Sequence, residues 1–80
     1  MFREHEQVIL TAEVAGDEGE ALMPGDVGVV VHTHPGDVAY VVEFFALDGR
    51  TAAIATVLPS QARSVTGADI THARAATMAQ

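Results

Sequence analysis

The chain has eighty residues, a formal charge of −7, and neither cysteine nor lysine. A chain this short is one domain at most and buries only about 60% of its unfolded surface, so its core is marginal. The missing cysteines exclude a disulfide framework, a thiolate metal site and a thiol nucleophile, and four scattered arginines (Arg3, Arg50, Arg63 and Arg74) do not form the clustered positive charge that phosphate recognition needs.

Nucleic acid and membranes are therefore not expected partners, and no apolar run reaches the length of a bilayer span. The opening Met1–Gln7 (MFREHEQ) is charged and no apolar core of a signal peptide follows it, so a cytoplasmic location is expected.

Met1–Glu6 reads as an extended lead-in or a short helical turn, with Phe2 as its apolar anchor. Gln7–Thr11 (QVILT) has strand composition, with Val8 and Leu10 on one face and Ile9 on the other. Ala12–Ala21 (AEVAGDEGEA) holds two glycines with Glu13, Asp17, Glu18 and Glu20, which predicts a mobile acidic loop.

Leu22–His34 (LMPGDVGVVVHTH) organises the rest. In Pro24-Gly25-Asp26 proline presets φ, glycine accepts a positive φ, and the Asp carboxylate can accept nearby backbone N–H groups. A strand from Val27 to about Thr33 follows, with Gly28 at a close approach by another strand or turn. Pro35-Gly36-Asp37 repeats the device as a second turn-to-strand solution rather than an internal duplication. It predicts a hairpin to a strand over Val38–Phe45.

Two registers of that hairpin are open, differing by one residue and therefore exchanging the faces. Tyr40, Val42 and Phe44 make the better inward set, because Glu43 then lies on the opposite face with Val41 and Phe45. Asp48-Gly49 predicts the next hairpin, to Arg50–Val57, and Leu58–Gln61 reads as a 3₁₀ turn before a last short strand over Ala62–Val65. Five short strands at close turn spacing favour a small barrel, because closure removes exposed edges. Beyond Thr66 the composition becomes alanine-rich. Asp69 is placed as the cap of a helix over Ile70–Ala79, so short that it either docks through Ile70, Ala73 and Thr77 or frays.

Val8-Ile9-Leu10, the run from Leu22 to His32, Ala39 to Phe44 and Asp48-Gly49-Arg50-Thr51 occur in an order and spacing that resemble the small bacterial proteins grouped as domain of unknown function 4926. The resemblance covers about residues 1–66 and departs at Val41, where members more often carry a polar residue. It implies an SH3-like barrel and brings no catalytic residues. The expected fold is thus all-β, a five-stranded SH3-like barrel over residues 1–66 with a C-terminal tail over 67–80.

His32 and His34 share one face of a strand, a known way to present two metal ligands, but a closed site needs two more groups, and solvated imidazoles are the simpler reading. Glu43 lies on the neighbouring strand, and its face relative to the histidines stays open. Glu4-His5-Glu6 reads as a solvated terminus, and Asp17, Glu18 and Glu20 lack the spacing of a calcium loop. Ser60 and Ser64 have no histidine nearby in sequence. A barrel of this size leaves little room for a pocket, so no enzyme, no cofactor and no metal are expected.

The valine-rich strand leaves at least one of its valines outward in either register, and the following strand adds Val41 and Phe45. Val29, Val31, Val41 and Phe45 are therefore the candidate interface. The expected function is a non-enzymatic, acidic protein-interaction module, such as an accessory or neutralising (antitoxin- or immunity-like) protein. The rival is a self-assembling homo-oligomeric subunit, and a small metal-binding protein using His32 and His34 is the third reading. The candidate face is expected to be covered by another subunit rather than by Ile70 and Ala73 of the tail.

Overall fold

The computed structural model describes residues 1–69. Their regular structure is mostly strand, in seven pieces: β1 (Gln7–Leu10), β2 (Val14–Ala15), β3 (Ala21–Leu22), β4 (Val27–Thr33), β5 (Tyr40–Phe45), β6 (Thr51–Val57) and β7 (Ala62–Ser64). Five of them form one antiparallel sheet in the order β6-β5-β4-β1-β7, and β2 pairs with β3 in a separate two-stranded hairpin. The all-β expectation holds, but the expected closure does not: β6 and β7 are both edges of the large sheet.

The second sheet corrects the reading of Ala12–Ala21 as a mobile loop. Val14 and Leu22 are opposite each other in the β2–β3 pair, and both are buried in the core. Two apolar side chains eight positions apart suffice to fold the acidic stretch back on itself. Gly19 takes a φ of +88° at the tip, and the Gly16 N–H donates to the Glu20 carbonyl. The tip is tied down as well, because the Asp17 N–H donates to the Ile54 carbonyl on β6 at 2.7 Å.

The core lies between the inner face of the five-stranded sheet and this hairpin. Val8 and Leu10 of β1, Val30 of β4, Tyr40, Val42 and Phe44 of β5, and Ala53, Ala55 and Val57 of β6 are all buried. The inward set on β5 is the one expected. Opposite Phe44 and Val42 stand Ala53 and Ala55, small residues that leave room for the bulk across the ladder. Gly28 is required by the same crowding: a Cβ there would lie 2.5 Å from Val42 Cγ1 and 2.9 Å from both Phe44 Cε1 and the Glu43 carbonyl oxygen.

The two Pro-Gly-Asp turns differ. At the first, Gly25 takes a φ of +97°, the Asp26 carboxylate accepts the Met23 N–H at 2.9 Å, and β4 starts at once. At the second, Pro35–Asp37 is a 3₁₀ turn in which both Gly36 and Asp37 have positive φ. Val38 is consequently left outside the ladder and exposed, so β5 begins at Tyr40, two residues later than expected. The 3₁₀ turn over Pro59–Gln61 is as expected, with the Gln61 side-chain oxygen accepting the Leu58 N–H.

The lead-in is bonded onto the sheet: the Val30 N–H donates to the Glu6 carbonyl, and the Phe2 ring lies 4.9 Å from that of Tyr40. At the other end, Asp69 is not the cap. Residues 67–69 are helical, and the Asp69 N–H faces Thr66 Oγ1 while the Asp69 carboxylate accepts the Thr66 N–H at 2.7 Å. Thr66-Gly67-Ala68-Asp69 is thus a reciprocal capping box with Thr66 as cap. The expected helix over Ile70–Ala79, and with it docking through Ile70, Ala73 and Thr77, lies outside the described residues.

Candidate interaction surface

The outer face of the large sheet is set by a β-bulge. Val30 is opposite Val42, and His32, not Val31, is opposite Val41, so Val31 is an extra residue in β4. Strict alternation from Gly28 and Val30 would turn His32 into the core. The extra residue reverses the parity, and both Val31 and His32 are exposed. An apolar residue is spent on the surface to keep an imidazole out of the interior.

Around Val31 the outer face is predominantly apolar. Phe45 is 49% exposed, Val27 46%, Val31 39% and Ile54 39%, with Ile9, Val29 and Val41 half-buried among them. The register makes these neighbours: Val29 and Ile54 flank Glu43 on the two adjacent strands, and Val27 and Phe45 follow the Gly28–Phe44 pair. Val29, Val31, Val41 and Phe45 therefore do share one face. Val27 and Ile54 belong to it too, although the sequence reading did not single them out. Val27 could have been found from its parity with Val29 and Val31, whereas Ile54 faces outward against the usual order, with the smaller Ala53 and Ala55 inside.

Glu43 is the acidic group within this face, half-buried and accepting the Thr51 hydroxyl. At the Phe45 end a groove of about 190 Å³ is lined by Leu22, Asp26, Val27, Phe44, Phe45 and Ala52. A second hollow, about 310 Å³, lies on the acidic hairpin between Glu13, Glu20 and Leu22. Two of the arginines are engaged by carboxylates. Arg50 pairs with Asp48 at 3.7 Å, and Arg63 makes two hydrogen bonds, 2.9 and 3.0 Å, to the Asp69 carboxylate. That pairing holds the Asp69 carboxyl far below the usual carboxylate range and raises Arg63, the hydrogen bonds being the larger cause for both.

The other candidate residues meet only in pairs. His32 and His34 lie side by side with ring centroids 5.3 Å apart and nearly perpendicular planes. Glu43 is opposite Val29 rather than either histidine and is bonded to Thr51. Among the described residues no three His, Cys, Asp or Glu side chains are grouped to hold a metal ion. The Ser64 hydroxyl donates to Glu6 at 2.6 Å, and this bond, with the Arg3 N–H, holds the Glu6 carboxyl below its ordinary value. A carboxylate stabilised in this way is a weaker base, which is the wrong direction for activating a hydroxyl. No described polar or charged residue is buried.

A model of the family described as Domain of unknown function (DUF4926) matches residues 4–64. No curated protein and no solved structure matches the chain.

Proposed function

From the premise that this chain belongs to the DUF4926 family, whose description names no activity, we propose that it is a non-enzymatic protein-interaction module that docks a partner protein on the outer face of its sheet. The observation that carries this reading is the cluster of Val27, Val31, Phe45 and Ile54, each at least 39% exposed on adjacent strands of one face. Burying such side chains is worth about 1.5–3 kcal/mol each, a large amount for a domain with a small core. An accessory or neutralising role suits a small acidic domain, and a cytoplasmic location goes with it. We read the sheet order β6-β5-β4-β1-β7, with a 3₁₀ turn leading into the last strand, as that of an SH3-like fold.

A second reading, a self-assembling subunit, is favoured by the composition of the β6 edge, TAAIATV, which has no charge and no proline to discourage pairing with another chain. Size-exclusion chromatography with light scattering, together with binding of an apolar dye, tests both on the wild-type chain and a Val41→Glu, Phe45→Glu double variant. A monomer whose dye binding is lost in the variant, with melting temperature kept, supports the interaction module. A dimer that the variant dissociates moves the assignment to self-assembly, and an unchanged dye signal makes the strip ordinary surface.

A further inference from the structure

The charge on and around the outer face narrows the kind of partner. The apolar residues surround one carboxylate, Glu43, whose immediate hydrogen-bond partner is the neutral hydroxyl of Thr51. Asp26 lines the groove beside Val27 and Phe45, and Asp17 sits at the β6 edge next to Ile54. Among the described residues, Arg50 and Arg63 are engaged by Asp48 and Asp69. The face therefore combines an apolar floor with carboxylates that no salt bridge among the described residues pairs. A partner that covered Glu43 with apolar atoms alone would remove its water without replacing it, which costs more than the burial of one neighbouring valine returns.

We propose that the partner is a cationic segment of another protein, which places a lysine or arginine over Glu43 and apolar side chains on the neighbouring Phe45 and Ile54. This deepens the interaction-module reading and rests on it. A second copy of the chain fits poorly, because a two-fold interface on this face would bring Glu43 towards its own counterpart between molecules each carrying −7. Phosphate-bearing surfaces are repelled by the same charge.

The test is isothermal titration of the full-length chain with two short synthetic peptides. In one, valine, lysine and valine occupy alternate positions separated by threonines; in the other, glutamate replaces lysine. The lysine peptide is expected to bind and the glutamate peptide not. Glu43→Gln, which keeps an acceptor for Thr51, is expected to weaken binding roughly two- to fivefold, the size of a half-exposed charge pair. Phe45→Glu and Ile54→Glu are each expected to weaken it about tenfold or more although both add negative charge. Tighter binding by these variants would mean undirected charge attraction and overturn the proposal.

Failure of the lysine peptide to bind overturns it as well. Equal binding of both peptides, lost in Phe45→Glu, would leave the docking face standing and remove the cationic partner. Concentration-dependent dimerisation that competes with the peptide would assign the face to a second copy. If only an Ile70→Glu, Arg74→Glu variant accepted the peptide, the occupant would be the chain's own C-terminal residues, and the foreign partner would be excluded.

Discussion

At the scale of single residues, Gly28 carries the tightest constraint. A Cβ there would press on Val42, Phe44 and the Glu43 carbonyl, and the backbone atom among them cannot swing aside as a side chain can. Gly28→Ala is expected to destabilise the protein by about 1–3 kcal/mol in urea unfolding. A neutral result would show that β4 and β5 can separate at no cost. Glu6 gives a pH-dependent prediction. Its carboxyl is lowered first by the Ser64 hydroxyl and then by the Arg3 N–H. A depressed carboxyl contributes stability that is present above its unfolded value and lost as pH falls through the folded one. The melting-temperature gap between wild type and Glu6→Gln should therefore be widest near neutrality and shrink as pH falls below the ordinary carboxylate range. A gap that widened on acidification would contradict the hydrogen-bonded assignment. Such residue-level features are half legible in a sequence. A glycine amid valines announces a close approach, but that Ser64 would meet Glu6 across 58 positions is not written in either neighbourhood.

At the scale of elements, the β2–β3 hairpin is where composition misled. Ala12–Ala21 is polar enough to be read as a mobile loop, yet two apolar residues, Val14 and Leu22, and one bond from Asp17 to β6 hold it against the core. Leu22→Ala is expected to cost about 2–5 kcal/mol, as for a buried leucine, rather than the near-zero cost of a loop change. The Asp17 amide should exchange with solvent far more slowly than its acidic neighbours at the tip; exchange at the rate of a free peptide would restore the mobile loop. The bulge at Val31 is the other element that composition could not supply. It adds no distinctive residue, and only the pairing with β5 reveals that His32 has been turned out of the core.

At the scale of the whole molecule, charge dominates. Eleven acidic residues against four arginines leave −7, so the folded state carries net self-repulsion. Raising the salt concentration should raise the melting temperature by screening it, and a steady fall would mean that attractive pairs such as Arg63–Asp69 matter more than repulsion. The same balance predicts no binding to DNA or RNA in a low-salt mobility-shift assay. Salt-dependent, micromolar binding would refute that prediction and point to a positive patch formed by tertiary structure.

What the sequence determined by itself was local and periodic. The strand positions of Gln7–Leu10, Val27–Thr33 and Thr51–Val57, the turns at Gly25 and Gly49, and the inward parity of Tyr40, Val42 and Phe44 all follow from patterns within a few residues. The acidic balance and the apolar excess on β4 and β5 were legible in the same way. Tertiary structure alone decided the open order of the sheet, the hairpin from the acidic stretch, the outward turn of Ile54 with Ala53 and Ala55 inside, and the company of Glu43. The physical reason is that a side chain's face depends on parity, and one bulge reverses parity for every residue beyond it. Parity is fixed by hydrogen bonds to a partner strand, and no residue's own neighbourhood contains that partner.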